Sequence, residues 1–170
     1  MQFLQISGRK LLLSSLTILT IVILCLLILL IFIYTGIRQD QNDAKSYAVE
    51  LAINESPLTQ EESVGEFTGE QAYMVVTGKN EDDERIHVFV PENAEESPQW
   101  VSSSEGISKE EMRQKWSQDC GNCHLNSMNL GILNNRYVWE IIYEKNNRLY
   151  FQTFRFSNGE LYDSISFSQS

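Results

Sequence analysis

One stretch of this chain, residues 11–37, holds 27 consecutive positions without a charged side chain; it is dominated by Leu, Ile and Val and contains no Pro. As a helix it would be about 40 Å long, against a hydrocarbon core of roughly 30 Å, so it can cross a bilayer with tilt or with its ends among the headgroups. A cleaved signal peptide would have an apolar region of only about 7–15 residues followed by a small-x-small exit. Here the run is longer and ends in Tyr34-Thr35-Gly36-Ile37. A lipoprotein signal also fails, because bulky Leu24 precedes Cys25. The reading is an uncleaved transmembrane helix over 11–37, with Cys25 as a small hydrophobe inside it. Arg9 and Lys10 precede the span, and Arg38 and Lys45 follow it, so the Lys/Arg balance is nearly tied. The short basic head favours residues 1–10 in the cytoplasm and the remainder outside, in the manner of a signal-anchor.

Charge is distributed unevenly beyond the span. The whole chain carries 13 Lys+Arg against 23 Asp+Glu, a formal net charge of −10, and every acidic residue follows the apolar run. That acidity argues against a nucleic-acid partner, which requires a basic surface. Residues 46–100 carry −11 and residues 101–170 only −1, which suggests two units with different surfaces.

Pattern reading gives those two units similar contents. Residues 43–54 are expected to be a helix, with Ala44, Tyr47, Ala48 and Leu51 on one face and Pro57 stopping it. Strands are expected at 63–68, 71–77 and 85–90, with Tyr73 and Val75 opposing Met74 and Val76, and with Ile86, Val88 and Val90 alternating. Residues 92–106, polar and Ser-rich, read as a linker. Ser108 with Glu111 three positions on forms a capping box, and Ile107 with Met112 a hydrophobic staple, so a second helix starts there and buries Met112, Trp116 and Cys120. Strands follow at 136–144, 148–156 and 160–167, the last two joined by Asn158-Gly159, a strong two-residue hairpin signal. The expected fold class is α+β: one transmembrane helix, then a unit at 44–91 and a unit at 107–168, each a helix on an antiparallel sheet. Units this small rarely sustain separate cores, so the two are expected to pack together.

Few residues point to chemistry. His87 has no Ser, Asp or Glu standing out as a partner, so a catalytic triad lacks support. Ser7-Gly8-Arg9-Lys10 spells S-x-x-K but lies in the head without companion motifs. Cys120-Gly121-Asn122-Cys123-His124 spells C-x-x-C-H, the c-type haem attachment sequence: two thiols for the vinyl groups and a His for the iron. Strands rather than helices are expected after it, and Met128 is too near His124 to be an obvious opposite ligand. Cys120 and Cys123 read alternatively as a redox pair, a structural disulfide or two incidental thiols. Zinc would need about four ligands, and two Cys with two distant His match poorly. The Glu81-Asp82-Asp83-Glu84 run lacks the alternation and central Gly of a calcium loop and reads as a solvated turn. No catalytic, metal or cofactor site is assigned, and no partner-binding residues are assigned.

The layout from about Ala44 onward resembles the TseB-like (YpmB-like) family of Gram-positive bacteria. The residues that carry the resemblance are Glu70-Gln71-Ala72-Tyr73-Met74-Val75-Val76-Thr77-Gly78, His87-Val88-Phe89-Val90-Pro91, Gly106-Ile107-Ser108, Val138-Trp139-Glu140-Ile141-Ile142-Tyr143 and Phe156-Ser157-Asn158-Gly159-Glu160-Leu161. The C-x-x-C-H insert departs from the pattern. The resemblance implies two PepSY-like, cystatin-like units at the outer membrane face, with no enzymatic activity, cofactor or small-molecule substrate. It further implies a regulator of cell-wall elongation that contacts a penicillin-binding transpeptidase. Two alternatives remain: a membrane-tethered modulator of peptidases, because PepSY-like modules resemble propeptides, and a haem electron carrier through Cys120, Cys123 and His124.

Overall fold

The computed structural model describes residues 8–93 and 96–168. Most of the head at 1–10, including Ser7 of the S-x-x-K string, lies outside the described residues. The first element, α1 (Gly8–Glu55), is a single helix, where the sequence reading broke it between 37 and 43. No Pro or Gly-rich break separates those stretches, so nothing interrupts the i→i−4 ladder. Residues 1–44 and 45–170 form two compact units. In the first, apolar side chains from Leu13 to Tyr34 stand exposed all round the helix, which is long and apolar enough to cross a membrane.

The second unit contains two four-stranded antiparallel sheets, each in sequential order. The first is β1 (Leu58–Thr68), β2 (Ala72–Asn80), β3 (Arg85–Pro91) and β4 (Gln99–Ser102). A 3₁₀ turn (Ser103–Glu105) leads to α2 (Lys109–Asp119). The second sheet is β5 (His124–Leu133), β6 (Arg136–Lys145), β7 (Arg148–Arg155) and β8 (Leu161–Ser168). The helix-then-strands order thus occurs twice. Each sheet nevertheless has four strands, where three were expected. β4 falls within the stretch read as a linker, 92–106. It pairs Phe89 with Gln99 and His87 with Val101. Its brevity and polar content hid it.

The first sheet is covered on both faces. One face presents Met74, Val76, Ile86, Val88 and Val90 to Ala48 and Ala52 of α1, together with Leu58. Ala at i and i+4 lets the helix lie close to the strands, while Tyr47, expected in the stripe, is 56% exposed. The opposite face presents Phe67, Tyr73, Val75, Phe89 and Val101 to a larger core shared with α2 and the second sheet. There Met112 and Trp116 of α2 pack with Trp139, Ile141 and Tyr143 of β6, and Trp116 meets Tyr143 edge-on at 5.4 Å. The Trp139 indole donates to the Ile107 carbonyl at 2.9 Å, fixing the entry to α2. The Ser108–Glu111 capping box is present in both directions.

Tight turns set the register of the second sheet. Asn134-Asn135 and Asn146-Asn147 all have positive φ, the two-residue type I′ geometry that matches strand twist. Gly159, at φ +65°, closes the β7–β8 connection, with its N–H bonded to the Arg155 carbonyl at 2.8 Å. Gly131 serves a different purpose: the Phe67 ring occupies the space a side chain there would fill, so β1 lies tightly on β5. Replacing Gly131 with Val should destabilise the chain by about 1–3 kcal/mol through overpacking. Phe67→Ala should cost about 3–5 kcal/mol, and the double variant less than the sum, because the smaller residue makes room for the larger. Urea titration of the full-length chain in detergent, followed by fluorescence of its three tryptophans, tests all three variants.

Candidate functional site

The edge strands β1 and β5 meet at Phe67 and Gly131 and diverge farther along, where a cleft of about 380 Å³ opens between the sheets. Val75, Met128, Leu130, Trp139 and Phe156 supply its apolar lining. Glu62, Glu66, Lys109 and Glu110 stand around it, and Arg85 bridges to Glu62 at 2.8 Å. The volume lies within the range of small-ligand or side-chain pockets.

His87 is the central polar group. It is buried on β3, directly opposite Thr77 in the β2–β3 ladder. One ring nitrogen, Nδ1, lies 2.8 Å from the Thr77 hydroxyl, and Nε2 lies 2.9 Å from the Ser103 hydroxyl just after β4. The Phe156 ring meets the imidazole edge-on at 6.0 Å. The sequence reading found no partner for His87. Thr77 follows only once the hairpin register is fixed, and Ser103 lay in the presumed linker.

A serine hydroxyl within bonding distance of an imidazole is the arrangement of a nucleophile and its base. The electrostatics here oppose that use. Burial, and secondarily the Arg85 guanidinium, push the His87 pKa from 6.5 down to about 4, with Glu62 only partly offsetting them. The third group, Thr77, is a hydroxyl and cannot stabilise an imidazolium as a carboxylate would. A neutral imidazole donating through one nitrogen and accepting through the other instead locks β2, β3 and the 3₁₀ turn together. The site can therefore hold a ligand group by hydrogen bonding and apolar contact, and it is poorly equipped to shuttle protons.

Cys120 and Cys123 are joined in a disulfide, with Cα atoms 5.6 Å apart. Cys120 caps α2 and continues the buried Met112–Trp116 stripe, whereas His124 begins β5 with its side chain exposed. In this state neither sulfur is free to form a thioether. Met128 is buried in the shared core and also lines the cleft. Within the acidic turn, Lys79 pairs with Asp83 at 2.6 Å, and the Asn80 side chain accepts the Asp82 and Glu84 N–H groups. Among the described residues, no group of three or more His, Cys, Asp or Glu side chains is placed to hold a metal ion.

Comparison with known proteins bears first on the sheet that carries His87. Residues 47–91, from the end of α1 through β3, match the family model described as "Cell wall elongation regulator TseB-like domain". Over those residues the chain is similar to a TseB-like domain. Its fold also matches that of the YpmB protein from Bacillus subtilis, with a TM-score of 0.62 and 23% identity over 71% of this chain and 95% of that one. A lipoprotein structure from Clostridium difficile 630 aligns with a TM-score of 0.36 and 8% identity, over 61% of this chain and 80% of that one. No curated protein matches the chain. The match to the B. subtilis structure accords with the α+β class expected from sequence: an N-terminal apolar helix followed by two helix-and-sheet units. The TseB-like match over 47–91 and the apolar helix are the two observations that bear on function.

Two outcomes follow for this site. An unfolded chain binds a proton at His87 near pH 6.5, and the folded chain only near 4, so stability falls as pH drops through that window. The loss should reach about 3 kcal/mol at the acid end. His87→Gln, which keeps a donor and an acceptor, should flatten this part of the pH profile measured by denaturant titration. Glu140, whose pKa burial raises, acts in the opposite direction in both proteins and cancels in the difference. Second, expression in a host that matures c-type cytochromes should yield protein without a covalent haem absorbance band. A Soret band surviving denaturation would restore the haem reading.

Proposed function

We propose that this chain is a single-pass membrane protein, its amino terminus cytoplasmic and its two sheets extracytoplasmic, that regulates cell-wall elongation by binding a penicillin-binding transpeptidase. The TseB-like match over 47–91 carries the reading. Three features support it. The apolar helix supplies an anchor. The cleft offers a binding surface without a competent nucleophile–base pair. Tethering in the same membrane raises the effective concentration of one protein for another, so a modest interface suffices. We place the contact at the mouth of the cleft between β1 and β5, which exposed Glu66 of β1 and Glu110 of α2 both line.

The test is chemical crosslinking of the full-length chain in its own membranes, followed by affinity capture and detection of transpeptidases with a fluorescent β-lactam. A specific labelled band is expected, and it should weaken several-fold in the Glu66→Arg, Glu110→Arg double variant, while stability falls by no more than about 1 kcal/mol, the cost of placing a cation in the first turn of α2. Deleting either sheet is uninformative, because the two share one core. Absence of any band above an anchor-only control would overturn the transpeptidase reading. A band indifferent to the double variant would move the contact away from the cleft.

A further inference from the structure

Each sheet has two edges, and three of the four are blunted. The β1 edge carries Glu61, Glu62 and Glu66 and two register shifts. β4 is four residues long. β5 lies against β1 through the Phe67–Gly131 contact. Short length, charge, bulges and coverage are the devices that keep strand edges from pairing with other chains. β8 lacks them over its second half: residues 164–168 read Ser-Ile-Ser-Phe-Ser, with no charge and no Pro, and they form an unbroken ladder with β7 on one side only.

This edge also borders an open apolar face. Ile165 is 52% and Phe167 58% exposed. In register they continue two cross-strand rows, Ile142–Phe151–Ile165 and Leu149–Phe167, and the Phe151 and Phe167 rings meet edge-on at 5.9 Å. α2 packs on the opposite face of this sheet, against Trp139, Ile141 and Tyr143.

We propose that β8 is a homodimer edge, pairing antiparallel with β8 of a second copy about a two-fold axis through Ser166. The segment is nearly palindromic, and this is what selects a second copy as its occupant. A two-fold at Ser166 places Ile165 opposite Phe167 of the other copy, Ser164 opposite its Ser168, and no charged residue within the paired stretch. Each apolar row then runs on into the other row of the second sheet, giving one continuous eight-stranded surface. Such an interface is isologous and closes at two copies. Each chain carries −10, and Arg148 lies over Ser166, 2.9 Å from its hydroxyl, so the axis brings like charges together. Salt screens that repulsion, and pairing should strengthen as ionic strength rises. The inference is independent of any transpeptidase partner.

Cysteine crosslinking of the full-length chain in membranes tests it, in a Cys25→Ser background that leaves the Cys120–Cys123 disulfide in place. Directly opposed residues on antiparallel strands have Cα atoms about 4.5–5.5 Å apart, within disulfide reach. Residue 164 of one copy would sit four positions from residue 164 of the other, about 13 Å away and out of reach. Ser166→Cys should therefore form a dimer several-fold more efficiently than Ser164→Cys, Ser168→Cys or the exposed control Ser117→Cys. A mixture of Ser164→Cys and Ser168→Cys chains should crosslink where neither does alone. Phe167→Lys, a change at an exposed position that the sheet tolerates, should abolish the Ser166→Cys product. Equal yields at all four sites would mean random collision and overturn the proposal. A Ser166→Cys product whose mass is not twice the chain would mean that another protein's strand occupies the edge, and would overturn it as well.

Discussion

The fold depends on burying the first sheet from both sides. One face alone could cover little more than Phe67, Tyr73, Val75, Phe89 and Val101. That face closes only against α2 and the second sheet, while the other closes against Ala48 and Ala52 of α1. Each large apolar side chain buried contributes about 1.5–3 kcal/mol, and units of this size need all of it to offset chain entropy. The consequence is one folding unit built from two repeats, with the site at their junction.

His87 shows how function and stability share that junction. Its burial suppresses the charged form, and its two hydroxyl partners come from β2 and from the turn after β4. The same environment that makes the imidazole a good structural clamp makes it a poor base. Electrostatics and two hydroxyl partners thus both weigh against His87 serving as a base.

Much of this was legible where local chemistry is strong. Ser108 with Glu111 marked the start of α2, Asn158-Gly159 marked the last hairpin, and the alternation of Tyr73, Met74, Val75 and Val76 marked a strand buried on both faces. β5 was missed although Met128, Leu130 and Ile132 alternate with polar residues, because Gly131 and two Asn depress strand propensity. The paired Asn at 134–135 and 146–147 are true two-residue turns that delimit β6 at both ends, whereas Asn158-Gly159, expected to be one, lies within the longer connection 156–160, where Gly159 and not Asn158 has positive φ. β4 and the Ser103–His87 contact were beyond local reading: each exists only because distant strands meet.

The ordering of the chain gives the shared core a temporal meaning. Phe156 lies within reach of His87, Tyr137 and Trp139, and its carbonyl accepts the Ile107 N–H that introduces α2. During synthesis, the exposed apolar side of the first sheet therefore waits for a residue more than sixty positions downstream of β3. Until Phe156 has emerged, a nascent chain presents an unfinished sheet face, the surface on which a chaperone or a neighbouring copy would act.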